Sequence, residues 1–300
     1  MCIRDRVDTL RSAGETKAIG SGHIFRLLAS TVTLNLNTIL GIRGVSFTVS
    51  GACASGVMAV GQGAEIIAFG RQDRIICGGV QEISWESMCS FDALGAFSRR
   101  ENNPGAASRP FDRDRDGLVP SGGAAAIVLE AFELAKARGA QILGEVIGYS
   151  NTSDGHHIAV PSGEGLKRAM HYALMNAALS PDDIDLVLSH ATSTQAGDRA
   201  EAIALRNIFD LDGAKKGPIV SAVKGLTGHE FWMSGASQLV YGLRMAWGGF
   251  VAGNPNLEVP DPAAEVLYLP KQTVTFRPRF MLCNASGFGG TNACLVVRIA

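Results

Sequence analysis

The stretch "GVSFTVSGACASGVMAVGQGAEIIAFG", residues 44–70, joins a strand-like run to a cysteine among small residues and then to a long apolar segment rich in Ala and Gly. "GVSFTV" predicts a strand, and residues 53–69 predict a helix. "DRIICGG", residues 73–79, is short, apolar and closed by glycines, and predicts the next strand. Strand, helix and strand in that order predict a βαβ crossover and therefore a parallel, buried sheet. Cys53 then stands on a strand-to-helix turn. The unpaired N–H groups and positive dipole end of a helix amino terminus favour a thiolate there. Gly51, Ala52, Ala54 and Ser55 leave room for a substrate carbonyl, and the Cys53 N–H suits one donor of an oxyanion hole. Taken alone, a cysteine in these surroundings is more often an inert packing thiol.

The rest of the composition narrows the class. The chain has 300 residues, 46% of them hydrophobic and 18% charged, with a net charge of −1. That is enough apolar material for a sizeable core and gives no global field for nucleic acid or a membrane surface. Six cysteines (Cys2, Cys53, Cys77, Cys89, Cys283, Cys294) form no CxxC pair. Their dispersion suits neither a zinc ribbon nor a disulfide framework and points to a reducing compartment. With no secretory signal and no apolar span of bilayer length, the expectation is a soluble cytoplasmic protein. The opening "MCIRDR" bears no evident relation to the rest of the chain and reads as an artefactual head on a fragment.

Residues 23–40 predict a helix. Residues 85–120 mix apolar anchors with a polar, charged loop, in which the alternating signs of "RPFDRDRDG" predict Arg–Asp pairing rather than a nucleic-acid patch. "AAAIVLEAFELAKARGA" predicts a strand and then a helix that Gly139 ends. A second series begins near Ile142. "GEVIGYSNTSDG" predicts a strand, "SGEGLKRAMHYALMNAAL" a helix, and "SPDDIDLVLSHATST" a strand that delivers His190 at its carboxyl end. "DRAEAIALRNIF" is an amphipathic helix, "GPIVSAVKG" a strand, "GASQLVYGLRMAWGG" a helix, and "FMLCNASGFGGTNACLVVRI" two strands around a glycine turn. Alternating elements in both parts predict two related α/β halves, residues 1–141 with Cys53 and residues 142–300 with His190, Lys224 and His229.

Cys53, His190, Lys224 with His229, and the "GFGGTN" turn (residues 287–292) stand out, three of the four placing a polar residue just beyond an apolar strand. That rim is where open α/β sheets bind ligands. One cysteine with one histidine suits a hydrolase. A second histidine and a lysine suit stabilisation of a developing enolate. His156 and His157 have no such setting and read as surface residues.

In "ACASG", "CSFDALGAFS", "RPFDRDRDGLV", "SDG…PSGEG", "SHATST…GD", "VKGLTGH" and "NASGFGGTN", in that order from about Lys17 to the end, the chain resembles the β-ketoacyl-acyl-carrier-protein synthases, the type I/II condensing enzymes of fatty-acid synthesis. "DGLVPSGGAA" is nearer the type I branch. The resemblance implies a thiolase-like, five-layered αβαβα sandwich of two related halves, acting as a homodimer on substrates carried by acyl-carrier protein. Position by position, it implies Cys53 as the acyl-accepting nucleophile. His190 and His229 would bind the malonyl thioester carbonyl and stabilise its enolate, Lys224 would tune the site, and Glu201 would brace it. Thr192 and Thr194 would contact the phosphopantetheine arm, and the Cys53 and Phe288 N–H groups would form the oxyanion hole. No metal or organic cofactor is called for, because loss of carbon dioxide supplies the electrons.

The sequence also departs from the family pattern. Ser286 stands where a bulky residue usually gates the acyl pocket, which shifts gating towards Phe288. Ala191 replaces a usual glycine, and Phe231 and Trp232 stand where small residues are common and read as packing. Only about fifty residues precede Cys53, so the first half reads as incomplete and the chain as a poorly stable fragment. Lys17 and Arg26 are candidates for carrier docking. A polyketide or specialised-lipid ketosynthase shares the same core motifs. A non-catalytic chain-length factor would lack the nucleophile, and a thiolase would carry a second cysteine near the glycine turn.

Overall fold

In a computed structural model of the chain, the structure describes residues 8, 11–15, 22, 24–212 and 216–300. Cys2, Lys17 and the side chain of Arg26 lie outside the described residues. Contacts divide the chain into two compact units, Met1–Thr48 and Val49–Ala300.

In the first unit, the helix expected over residues 23–40 is broken into a single turn, Ile24–Leu27, and α1 (Thr31–Leu40), which Gly41 closes in the left-handed conformation. No residue of α1 is buried. It is tied down by polar contacts: Asn37 Nδ2 donates to Ser46 Oγ at 2.8 Å, and the Thr33 and Thr48 hydroxyls lie 3.2 Å apart.

The second unit begins with α2 (Ser55–Ala68), β1 (Arg74–Gln81), α3 (Trp85–Ala93), β2 (Gly123–Glu130) and α4 (Phe132–Ala137). It continues with β3 (Gly144–Ser153), α5 (Glu164–Asn176), β4 (Leu186–Leu188), α6 (Gln195–Phe209), β5 (Ile219–Ser221) and α7 (Ser234–Gly248), and closes with β6 (Phe250–Val251), β7 (Val274–Thr275), β8 (Phe280–Gly287) and β9 (Thr291–Ile299). A mixed five-stranded sheet runs in the order β3-β9-β8-β4-β5; β4 is parallel to both β5 and β8, and β9 is antiparallel to both β3 and β8.

Side chains of this sheet alternate between two cores, as period-two backbone geometry requires. Leu186, Leu188, Met281, Cys283, Ala293 and Leu295 face the core that holds α2 and α7. Val187, Leu282, Cys294 and Val296 face the one under α5 and α6. Both faces are buried, so these strands read as unbroken apolar runs. The β1–β2 pair lies against the far side of α2, through Ile75, Cys77, Ile127 and Leu129. The described residues of this unit therefore build sheet, helix, sheet and helix layers. At the centre α2 and α7 touch through glycines. A Cβ on Gly56 would stand 2.5 Å from Ala236 N, and one on Gly235 2.5 Å from Val57 N.

One expectation fails. Residues 44–49 form no strand among the described residues, and β1 pairs antiparallel with β2, from Arg74 opposite Glu130 to Gln81 opposite Gly123. The parallel crossover expected over residues 44–79 is therefore not made. Strand propensity needs a partner backbone to become a ladder, and Val45 and Phe47 stand exposed instead. Among the described strands, parallel pairing enters at β4, in the second series. The loop expected over residues 85–120 also opens with α3, whose first turn is a capping box between Ser84 and Ser87.

Candidate active site

The cysteine turn is built by backbone. Ala52 takes φ +48, which turns the chain sharply just ahead of α2 and leaves Cys53 buried at its start. Ser55 Oγ donates to Ala52 O at 2.6 Å and accepts from Gly51 N at 2.8 Å, closing the turn on itself. The glycine turn after β8 packs directly on it. A Cβ at Gly287 would lie 2.6 Å from Gly51 O and 3.0 Å from Cys53 N, so only glycine admits this approach. Phe288, the next residue, is 43% exposed and stacks on Phe91 with centroids 6.0 Å apart.

The end of β4 brings His190 to the thiol, and the helical turn Lys224–Thr227 beyond β5 brings His229. His229 Nε2 lies 3.2 Å from Cys53 Sγ, and the His190 and His229 rings meet edge to face at 5.4 Å between centroids. The Nδ1 atoms of both rings are buried without a hydrogen-bond partner. Lys224 is wholly buried; its Nζ donates to Gln238 Oε1, and its carbonyl accepts from Ser108 Oγ at 2.6 Å.

Carboxylates brace the His190 rim. Glu201 Oε1 accepts from His190 N at 2.7 Å and from Asn284 Nδ2 at 2.8 Å, and Glu201 Oε2 accepts from Ala191 N at 2.6 Å. One turn earlier on α6, Asp198 Oδ1 accepts from Thr192 N at 2.9 Å and Ser193 N at 3.1 Å, while its Oδ2 accepts from Phe111 N at 2.8 Å. The "RPFDRDRDG" loop completes the frame. Arg109 pairs with Asp112 at 3.0 Å and the exposed Arg113 with Asp114 at 3.1 Å. Buried Arg115 reaches out of the loop to Asp198 and to the carbonyls of Thr194 and Gln195. Thr192 and Thr194 face each other, hydroxyl to hydroxyl at 3.0 Å. Ser286 Oγ donates to Asn292 Oδ1 at 2.7 Å and so braces the base of the glycine turn.

Burial governs the charges. It pushes the Cys53 thiol up to about 12, against the lowering effect of Lys224 and of the Cys53 N–H. Burial, then Lys224, holds both imidazoles well below the ordinary histidine range, so both rings are neutral at pH 7. Burial takes Lys224 down to about 8 and Glu201 up to about 7. A neutral thiol against a neutral imidazole, with one buried cation nearby, is an arrangement that can move a proton from sulfur to nitrogen and hold a developing oxyanion. Two surface clefts lie elsewhere, one of about 360 Å³ beside Lys216 and Tyr268 and one of about 340 Å³ beside Trp247 and Arg279.

Cys53, His190, Lys224, His229 and Glu201 thus converge on one place, with Thr192, Thr194, Ser286 and Phe288 around it. Sequence reading missed Gln238 as a partner of Lys224, Asn284 as a partner of Glu201, and Asp198 as the brace of Thr192. Asp198 and Glu201 had a signal in their three-residue helical spacing. Gln238 had none.

Comparison with known proteins places the arrangement. Residues 3–135 match the family description Beta-ketoacyl synthase, N-terminal domain, and residues 143–258 match Beta-ketoacyl synthase, C-terminal domain. The chain is 40% identical over 292 residues to 3-oxoacyl-[acyl-carrier-protein] synthase 1 of Escherichia coli (strain K12), covering 97% of this chain and 70% of that protein. A crystal structure of a β-ketoacyl synthase from Burkholderia phymatum STM815 superposes with a TM-score of 0.93 at 34% identity, over 99% of this chain and 72% of that one. The ketosynthase of a type II polyketide synthase, solved in complex with its acyl-carrier protein and bound to the hexaketide, also superposes at 0.93, with 28% identity over 99% of this chain and 74% of that one.

Proposed function

The chain belongs to the β-ketoacyl synthase family, and from that premise we propose that it joins an acyl chain held on Cys53 to malonyl-acyl-carrier protein, giving 3-oxoacyl-acyl-carrier protein in fatty-acid elongation. Its architecture is the thiolase-like ketosynthase fold, and its activity class is acyltransferase. The observation that carries the mechanism is the 3.2 Å contact between Cys53 Sγ and His229 Nε2.

In the first half-reaction the Cys53 proton passes to His229 Nε2. The sulfur attacks the donor thioester carbonyl, the new C–S bond forms as the pantetheine C–S bond breaks, and the proton leaves with the pantetheine sulfur. Splitting the condensation this way replaces one difficult step by two easier ones. In the second half-reaction the malonyl thioester carbonyl accepts hydrogen bonds from His190 and His229. The electrons of the broken C–CO₂ bond move into an enolate, which attacks the acyl carbonyl on Cys53 and returns the sulfur as leaving group. His229 Nε2 must accept a proton in the first step and donate a hydrogen bond in the second, which call for different tautomers of the neutral ring. Lys224, buried and cationic below about 8, favours both the thiolate and the enolate. The scheme calls for no metal or organic cofactor. The Cys53 and Phe288 N–H groups serve as the oxyanion hole and Thr192 and Thr194 as contacts for the pantetheine arm. The enzyme acts in the cytoplasm as a homodimer docked by acyl-carrier protein. Among the described residues, no helix is long and apolar enough to cross a membrane.

The alternative of a polyketide or specialised-lipid ketosynthase rests on the hexaketide-bound neighbour, at lower identity than the fatty-acid synthase relative. A non-catalytic chain-length-factor role is disfavoured by Cys53 beside two histidines. The experiment is acylation and condensation with Cys53→Ala. Removing the nucleophile is expected to abolish the acyl adduct and cut condensation by about 10⁴-fold or more, while decarboxylation of the malonyl thioester continues. Condensation surviving in Cys53→Ala would overturn the assignment.

A further inference from the structure

Phe231 is two residues beyond His229 and expected only to pack. The structure gives it more specific surroundings. It has no solvent exposure and stands in a separate apolar cluster with Cys53, Met88 and Leu118, flanked by Phe91, Ala96 and Phe97. Its ring centroid lies 4.8 Å from that of His229 and 4.8 Å from that of Phe91. Its backbone takes φ +44, a left-handed conformation that bulky side chains rarely adopt. Such strain persists only where surrounding structure holds it. Here the turn from Phe231 to Met233 is pressed onto β1, where a Cβ on Gly79 would lie 2.6 Å from Met233 Cα.

Anything esterified to Cys53 Sγ leaves it in one of two directions. One is polar, towards His229 and His190. The other is this apolar cluster, in which the Phe231 ring is the largest fully buried side chain. Trp232, by contrast, is 39% exposed and lies outside the cluster. We infer that Phe231 closes the apolar side of the cysteine site and restricts the thioester-bound chain to short straight-chain acyl groups. This rests on Cys53 being the acylated residue. The step involved is the transfer described above: the acyl carbonyl carbon changes sulfur, and the pantetheine thiol leaves with the Cys53 proton. Phe231 takes no part in the chemistry. It sets how much hydrocarbon fits behind the new thioester, and a filled pocket rejects an oversized chain by steric clash.

The test is intact-protein mass spectrometry of the whole chain, incubated with acyl-coenzyme A thioesters from acetyl to palmitoyl. Wild type is expected to gain acetyl and butyryl groups readily and to acylate on the order of 100-fold more slowly with decanoyl and longer donors, a discrimination within the range that a few methylenes give in a closed pocket. Phe231→Leu is expected to move the cut-off to longer chains, and Phe231→Ala further. Trp232→Leu should leave the profile unchanged. Removal of a whole buried ring can unfold Phe231→Ala, so Phe231→Leu and the wild-type profile each decide the matter without it. Equal acylation by short and long donors in wild type, or an unchanged cut-off in a folded Phe231→Leu, would overturn the inference while leaving Cys53 as nucleophile. No mass gain on Cys53 with any donor would overturn the nucleophile assignment and this inference with it.

Discussion

His190 follows the end of β4, His229 lies beyond the neighbouring parallel strand β5 after the helical turn Lys224–Thr227, and the two are held in opposite ways. The His190 segment is fastened by buried carboxylates, Glu201 and Asp198, which take the backbone N–H groups of residues 190–193, while the His190 ring meets that of His229 edge to face. The His229 segment is fastened by neutral backbone bonds, His229 N to Val119 O at 2.7 Å and Ser121 N to His229 O at 2.9 Å, and its ring takes the thiol. Charge therefore secures the frame on one side, where no proton needs to move. On the other side neutral backbone bonds hold the segment, and Lys224 is the buried charge that acts on the imidazole. Under the proposed mechanism, the difference fits a division in which, of two histidines alike in sequence setting, His229 serves both half-reactions and His190 only the second.

The sharpest way to break that division is to remove each ring and follow the half-reactions separately. His229→Ala is expected to slow acylation of Cys53 by roughly 10²–10⁴-fold, the usual worth of a positioned acid or base. His190→Ala is expected to leave acylation nearly intact and to slow decarboxylation of the malonyl thioester by a similar factor. Equal losses in both half-reactions for both variants would erase the distinction.

The second test concerns pH. Burial lowers Lys224 to about 8, below its unfolded value, so between those two values the folded protein binds fewer protons than the unfolded one. The contribution of this group to stability therefore improves as pH rises across that window. Activity should move the other way. Condensation is expected to fall about tenfold as Lys224 loses its charge above about 8. Lys224→Met should show the lowered rate at every pH and lack that limb. A pH profile unchanged by Lys224→Met would remove the lysine from the electrostatics of the His229 side.

The smallest expected effect is at Gln238. Its amide joins the two strand ends, accepting from Lys224 and donating to Ser189 O at 3.1 Å and Leu188 O at 3.3 Å. Gln238→Ala leaves these buried groups unpaired, at a cost of about 1–3 kcal/mol. It should appear as a lower thermal midpoint with a drop in condensation of only a few-fold. A larger loss of activity than of stability would make the amide part of the electrostatic machinery rather than a brace.

Much of this was legible along the chain. Apolar runs ending in a polar residue located His190 and Lys224, because strand ends in such sheets face a common rim, and small residues around Cys53 marked a turn with exposed backbone. What failed depended on partners remote in sequence. "GVSFTV" has strand composition but meets no ladder, since propensity says nothing of which backbone lies alongside. The left-handed turn at Phe231 breaks the local rule for bulky residues, so only the packing of that turn on β1 accounts for it. Gln238 sits on an apolar helix face like any misplaced amide, and its meaning appears only when Lys224, fourteen residues earlier, is placed against it.

The crossing of α2 and α7 at Gly56 and Gly235 has a consequence for how the site tolerates change. One helix begins at the nucleophile and the other follows the base, so the spacing of the two axes is also the gauge for the sulfur-to-nitrogen distance. A single methyl group at Gly56, 2.5 Å from Ala236 N, would act as a shim between them. Under the proposed mechanism, proton transfer at Cys53 therefore hangs on a tolerance set by hydrogen atoms at the crossing of two helices.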